Sequence, residues 1–272
     1  LCLRLLFFAS ATKTSLGNQF VNDGLLDLLS EVCYLKTNYC EIIAKCRSGL
    51  FKDEDWISCD AVILECIKLG FNVTIGSSPL AGSMYETIIK SSNDEAAKKF
   101  HRYLTSIIHI FLETKLNSPP LLSPHCHIIN TMMNIPIVDP LVWFPNNDYT
   151  LLDKLLQIFE MSFKDIAPEG EGKSLVGTYC DSLVDQALIP LCVLLKKLAV
   201  IPEVLARIKM RLVPPSIDRS KNLAEGSHLT AALIRTMTSI TLYQTRDILG
   251  ELLLACFDGN SNVIYGSLIC CS

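Results

Sequence analysis

The chain has 272 residues, 50% of them apolar and 19% charged, with a mean hydropathy of +0.34. So much apolar surface excludes an intrinsically disordered chain, and the scattered 13 glycines and 12 prolines exclude a collagen-like or low-complexity one. A formal charge of −4, a pI near 5.8 and the lack of any basic run argue against a nucleic-acid binder, leaving proteins or small molecules as partners.

The opening segment, Leu1-Cys2-Leu3-Arg4-Leu5-Leu6-Phe7-Phe8-Ala9-Ser10-Ala11, imitates a signal peptide by its basic residue, apolar run and small-residue end. The alternative is a buried helix cut by a fragment boundary. Cysteine usage favours that alternative: Cys33, Cys66, Cys192 and Cys256 sit singly among Leu, Ile and Val, as small buried hydrophobes of a reducing compartment do. From Asp53 onward, Trp56, Cys59, Val62, Ile63, Cys66, Ile67 and Phe71 advance by three or four and form one helical stripe. Ala96, Phe100, Tyr103, Leu104, Ile107, Ile108 and Phe111 repeat the pattern. Ser123-Pro124 signals a helix start for His125 to Asn134, and Pro136 stops it.

Asp148 opens the next helix, carrying Leu151, Leu152, Leu155, Leu156 and Phe159. Further helices are predicted over Leu183 to Ala199, Pro202 to Leu212, Leu229 to Ile240 and Tyr243 to Phe257. No period-two pattern competes, so the fold class is all-α. Pairs of helices separated by breaks at Pro119-Pro120, Pro145 to Asn147 and Pro214-Pro215, at a spacing of roughly 40 to 50 residues, predict an armadillo/HEAT-like α-α superhelix. The whole of 1–272 is expected to be one such domain, with Pro168 to Gly177 as an exposed insertion. No run of about 18 uninterrupted apolar residues predicts a membrane span.

Signatures of covalent chemistry are weak. His125-Cys126-His127 has metal-binding residue types, yet i and i+2 on a helix point in different directions. Asp53 and Asp55 fit helix-start electrostatics better than acid/base work. Adjacent Cys270-Cys271 make a poor disulfide, and Asn72-Val73-Thr74 matches a glycosylation pattern that follows a buried stripe. There is no GxSxG, HExxH or Walker A motif. No catalytic residue, metal or cofactor is expected.

Polar residues at the ends of apolar stripes carry more information. Lys68 and Asn72 share a helix face at i,i+4, as do Asn130 and Asn134. Two readings stand side by side. The asparagines cap or satisfy their own helices, or they form a ladder of amides along the inner face of a solenoid, where each offers donors and an acceptor to a partner's backbone. Arg219 and Arg235 either pair a partner carboxylate or make ordinary salt bridges.

Several segments together resemble the synembryn family, which acts on heterotrimeric G-protein α subunits. Leu3 to Ala11 is similar to the family's Arg-Leu-Leu-Phe helix, and Ala61 to Thr74 to its Leu-Lys-x-x-Phe-Asn-x-Thr helix. Residues 123–137 resemble its Asn-x-Pro segment, followed by Trp143-Phe144. Arg211 to Ser239 is the most specific, similar to the Leu-Pro-Pro, Asp-x-Arg, Glu-Gly and Leu-x-Arg-x-Met-Thr run in order and spacing. Of the family's Gly-Tyr-Gly-Asn-Ala-Ala-Gly end, Val263 to Ile269 keeps Tyr265-Gly266. The intervening sequence reads most like a fungal member.

The resemblance implies an armadillo/HEAT-like superhelix that binds Gα without Gβγ, captures the Gα C-terminal helix on its concave face, promotes GDP release and chaperones newly made Gα. Lys68, Asn72, Asn130, Asn134 and Arg235 fall within matching motifs and are the implied groove residues. A cytoplasmic monomer, recruited to the plasma membrane through Gα and not inserted in it, is expected. The earliest family repeats and the region beyond the array fall outside this chain, and a chain short of those parts could hold the Gα tail yet exchange nucleotide poorly. The alternative is a solenoid scaffold that binds another peptide, although Trp56 and Trp143 are too few for an importin-like groove.

Overall fold

The computed structural model describes residues 4–8, 19, 23–33, 59–76, 95–135, 137, 139–169, 181–217 and 222–257. Every regular element among the described residues is helical. Helical stretches at 4–8 and 25–33 precede α1 (Cys59–Gly76), α2 (Glu95–Glu113), α3 (His125–Asn134) and the short α4 (Pro140–Trp143). Then follow α5 (Thr150–Ile166), α6 (Asp181–Leu198), α7 (Pro202–Leu212), α8 (Leu229–Thr238) and α9 (Tyr243–Cys256). No helix among them is long and apolar enough to cross a membrane. The chain divides into two compact units, Leu1–Thr114 with Asn130–Pro145, and Lys115–Ile129 with Asn146–Ser272.

In the first unit, α1 buries Ile63, Cys66 and Ile67 as the stripe predicts, but also Leu69 and Val73. The added burial follows from neighbours on more than one side of the helix. One neighbour is α2: a Cβ on Gly70 would lie 1.9 Å from the Tyr103 hydroxyl, so only glycine lets the ring approach. A second is the C-terminal half of α3. Thr131 Oγ1 donates to the Ile67 carbonyl (3.3 Å) and Asn134 Nδ2 to Thr74 Oγ1 (3.4 Å). Both bonds advance toward the C-terminus on both helices, so α1 and this half of α3 run in the same sense.

The same logic extends the arrangement backward. Arg4 pairs with Glu65 (3.5 Å) and the Phe7 carbonyl accepts from Asn72 (3.0 Å), so stretch 4–8 runs parallel to α1. Asp27 pairs with Arg102 (2.9 Å) and Ser30 bonds Ser106 (2.9 Å), so stretch 25–33 runs parallel to α2. First helices therefore line up with first helices and second with second, which is how successive helix pairs stack. The step from α1 to α3 is longer than the 40 to 50 residues expected.

The second unit has its core where the pattern predicts it. Leu151, Leu152, Leu155, Leu156 and Phe159 of α5 are all buried. α5 packs on α6 and α8, α9 packs on α6 and α8, and α7 touches α5 and α9. Buried Thr230 Oγ1 donates to the Leu212 carbonyl (2.7 Å), tying the start of α8 to the end of α7. α6 continues through Pro190, whose ring costs one backbone hydrogen bond. Several boundaries differ from expectation by one or two residues: α6 begins at Asp181 and ends at Leu198, and α9 ends at Cys256. α5 begins at Thr150, whose N–H donates to Asp148 Oδ1 (2.9 Å) from just upstream. α8 stops at Thr238 because Ser239 turns to extended backbone, leaving Ile240 90% exposed.

The break at Pro145–Asn147 is a 3-10 turn in which Asn146 (φ 54°) and Asn147 (φ 58°) are left-handed, a conformation asparagine tolerates better than most residues. Cys33, Cys66, Cys192 and Cys256 are buried and in no disulfide, as expected of small hydrophobes. Burial, then the Glu65 carboxylate, pushes the Cys66 thiol up to about 11; burial also raises Cys192 and Cys256. Asp53, Asp55, Trp56, Arg219, most of the 168–177 insertion, Val263 to Ile269 and Cys270-Cys271 lie outside the described residues.

Candidate partner-binding site

Lys68 and Asn72 lie on α1 and Asn130 and Asn134 on α3, all within the first unit. Lys68 directly follows Ile67, and Asn130 directly precedes Thr131, the two residues that meet across the helix pair. One residue turns a helix by about 100°. On two parallel helices facing each other, a step forward on one and a step back on the other turn to the same side. Lys68, Asn72 and Asn130 therefore share one side of the α1–α3 layer, with exposed Ala61 and Ile75 beside Lys68.

Their partners differ. Lys68 Nζ sits 3.3 Å from Glu65, a carboxylate that Arg4 also approaches. Asn72 Nδ2 reaches back to the carbonyl of Phe7, and Asn134 Nδ2 reaches back to Thr74, whose own hydroxyl donates to the Phe71 carbonyl (2.9 Å). Asn130 Oδ1 is buried without a hydrogen-bond partner, which costs about 1–3 kcal/mol of desolvation. The glycosylation pattern at Asn72 falls inside α1, with Val73 and Thr74 fully buried.

Arg235 belongs to the second unit. Its Nε and Nη2 donate to the Ala167 carbonyl (3.0 and 2.7 Å), and Nη1 donates to the carbonyls of Ala224 (2.6 Å) and Gly226 (3.0 Å). Burial lowers its pKa and the Glu169 carboxylate opposes that fall. The guanidinium thus fastens the 222–228 turn to the end of α5. Gly226 is left-handed at φ 97°, which the turn requires.

That turn forms one wall of a cleft of about 580 Å³. Pro214, Ile217 and Leu229 supply apolar lining, and Glu160, Lys164 and Arg211 the charges. Burial pushes the Glu160 carboxyl up, but the Lys164 ammonium at 2.7 Å and the Arg211 guanidinium more than reverse this and hold it below the usual range. The Arg211 to Ser239 block stands out in the sequence, but the cleft it lines could not be read there, because Glu160 and Lys164 come from a helix some fifty residues earlier. Likewise Thr74 and Thr131, which join α1 to α3, looked like ordinary helix residues; their polarity at buried positions was the available signal.

On α3, His125 is buried while Cys126 and His127 are half-buried, and no three His, Cys, Asp or Glu side chains among the described residues come together as a metal site.

No curated protein and no solved structure matches the chain. The sequence profile of the guanine nucleotide exchange factor synembryn, however, matches residues 1–264. That match covers nearly the whole chain, and the chain belongs to the synembryn guanine nucleotide exchange factor family, whose members act on G-protein α subunits.

Proposed function

We propose that the chain captures the C-terminal helix of Gα on the side of the α1–α3 layer that carries Lys68, Asn72 and Asn130, with Asn134 at its seam. Capture promotes GDP release and shelters newly made Gα. The single observation that carries this reading is the family match across residues 1–264; the shared side of Lys68, Asn72 and Asn130 supports the choice of surface. Arg235 serves within the second unit, where it positions the 222–228 turn, since four hydrogen bonds to backbone carbonyls occupy most of its N–H groups. The protein works as a cytoplasmic monomer that follows Gα to the plasma membrane, with no nucleic-acid partner and no cofactor.

The mechanism is conformational. Groove and Gα tail bind best when the tail helix leaves its own core, and only such differential affinity moves Gα toward the open, GDP-releasing state. A shift from 1:99 to 99:1 takes about 5.5 kcal/mol of preference, which several buried contacts and amide hydrogen bonds supply and one surface ion pair does not. GTP rebuilds the Gα core and displaces the chain.

The test measures GDP release from Gα with and without the chain, beside binding of a labelled peptide from the Gα C-terminus. Faster release together with peptide binding is the expected result. Peptide binding with unchanged release reduces the function to that of a holdase. Failure to bind either Gα or the peptide removes the reading and leaves a scaffold for another segment.

A further inference from the structure

The polar side chains of the α1–α3 layer differ in what they would give up to bind a partner. Asn72 Nδ2 is committed to the Phe7 carbonyl (3.0 Å) and Asn134 Nδ2 to Thr74 Oγ1 (3.4 Å). Each reaches from the end of one helix to the preceding helix of the same layer. Lys68 is paired with Glu65. Asn130 is different: its buried Oδ1 has no hydrogen-bond partner. Turning that amide outward forfeits no internal hydrogen bond and relieves an unsatisfied acceptor, whereas turning out Asn72 or Asn134 breaks a link between helices.

We propose that these amides divide their work: Asn72 and Asn134 hold neighbouring helices in register, and Asn130 is the amide that hydrogen-bonds the backbone of the bound segment. The division rests on the Gα-tail reading above. It makes Asn134 and Thr74 one positioning unit, because the Thr74 hydroxyl donates to the Phe71 carbonyl (2.9 Å) and so presents its lone pair to Asn134. Loss of either partner disturbs the same seam, and the seam orients the strip on which Asn130 lies. Asn130 gains its effect from the partner alone, since an amide with both donors and an acceptor matches a peptide backbone on both counts.

The experiment uses the full chain and a labelled Gα C-terminal peptide, with thermal unfolding measured on every variant. Asn130→Ala and the similarly sized Asn130→Leu should weaken peptide binding about three- to tenfold with Tm unchanged or raised. Asn134→Ala and Thr74→Val should each lower Tm, the double variant should be no worse than the single ones, and Thr74→Ser should restore wild-type behaviour. Wild-type affinity in both Asn130 variants, or a Tm loss in both equal to that of Asn134→Ala, overturns the division. Additive Tm losses for Thr74→Val and Asn134→Ala overturn the positioning unit. If the wild-type chain does not bind the peptide at all, the Gα-tail reading fails, and the division falls with it.

Discussion

The two units use polar side chains in opposite ways. In the first, neutral amides and hydroxyls make single bonds of 3.0–3.4 Å between parallel helices, and one amide oxygen is left unsatisfied. In the second, one guanidinium makes four bonds of 2.6–3.0 Å to three carbonyls and fixes a turn. Charge-assisted, forked bonding is the stronger and more rigid of the two. The neutral seams are weaker, and a surface that must accept another chain's backbone is better built from groups that exchange partners at little cost. The contrast assigns rigidity to the 222–228 turn and adaptability to the α1–α3 layer.

The largest effect should come from breaking the rigid side. Arg235→Ala strips the carbonyls of Ala167, Ala224 and Gly226 of their donor and should cost about 3 kcal/mol, read by urea denaturation. Arg235→Lys should recover only a small part, because an ammonium cannot reproduce the fork. Full recovery by lysine would show that charge, and not bidentate geometry, holds the turn.

In the first unit the decisive contact is one of space. Gly70→Ala would set a methyl 1.9 Å from the Tyr103 hydroxyl and should destabilise by about 2 kcal/mol. Tyr103→Phe alone should be neutral or stabilising, since that hydroxyl is buried without a partner. Combined with Gly70→Ala it should restore part of the loss and not all, as the ring carbon Cζ would still lie 2.5 Å from the new methyl. A Gly70→Ala chain as stable as wild type would mean that α1 and α2 have room to separate.

The smallest signal is a slope with pH. Burial lowers the Lys197 ammonium from 10.5 to about 7. Between those values the unfolded chain keeps a proton that the folded chain has released, so the Lys197 contribution to stability rises with pH across that window and is fully lost below it. The raised thiols of Cys66, Cys192 and Cys256 act in the opposite sense above pH 9. The comparison is therefore between wild type and Lys197→Met: denaturation midpoints at pH 7 and pH 10 should show the rise removed in the variant. An identical pH dependence in both would place Lys197 in water.

Much of the helical framework is legible in the amino-acid sequence alone. The α5 stripe and its buried leucines, the run Pro202–Leu212 and the buried cysteines follow from apolar spacing and from proline and cap signals, all of them local. Less legible were features set by what lies alongside. Leu69 and Val73 are buried because α1 has neighbours on several sides, and Ile240 is exposed because α8 ends two residues early. Lys68, Asn72, Asn130, Asn134 and Arg235 are legible as polar interruptions of apolar helices, but their bonding partners are not.

The amino-acid sequence by itself determined an all-helical chain, the position of most helices and, through motifs in order, membership of the synembryn family. Periodicity and motif order are properties of neighbouring residues, so they survive in one dimension. Only the tertiary structure decided which asparagine holds a helix, which has an unsatisfied oxygen, and that Arg235 binds its own backbone. Asn72 meets residue 7, Asn134 meets residue 74 and Arg235 meets residue 167. A hydrogen bond depends on distance and angle between groups that chain order leaves far apart, and packing alone brings them together.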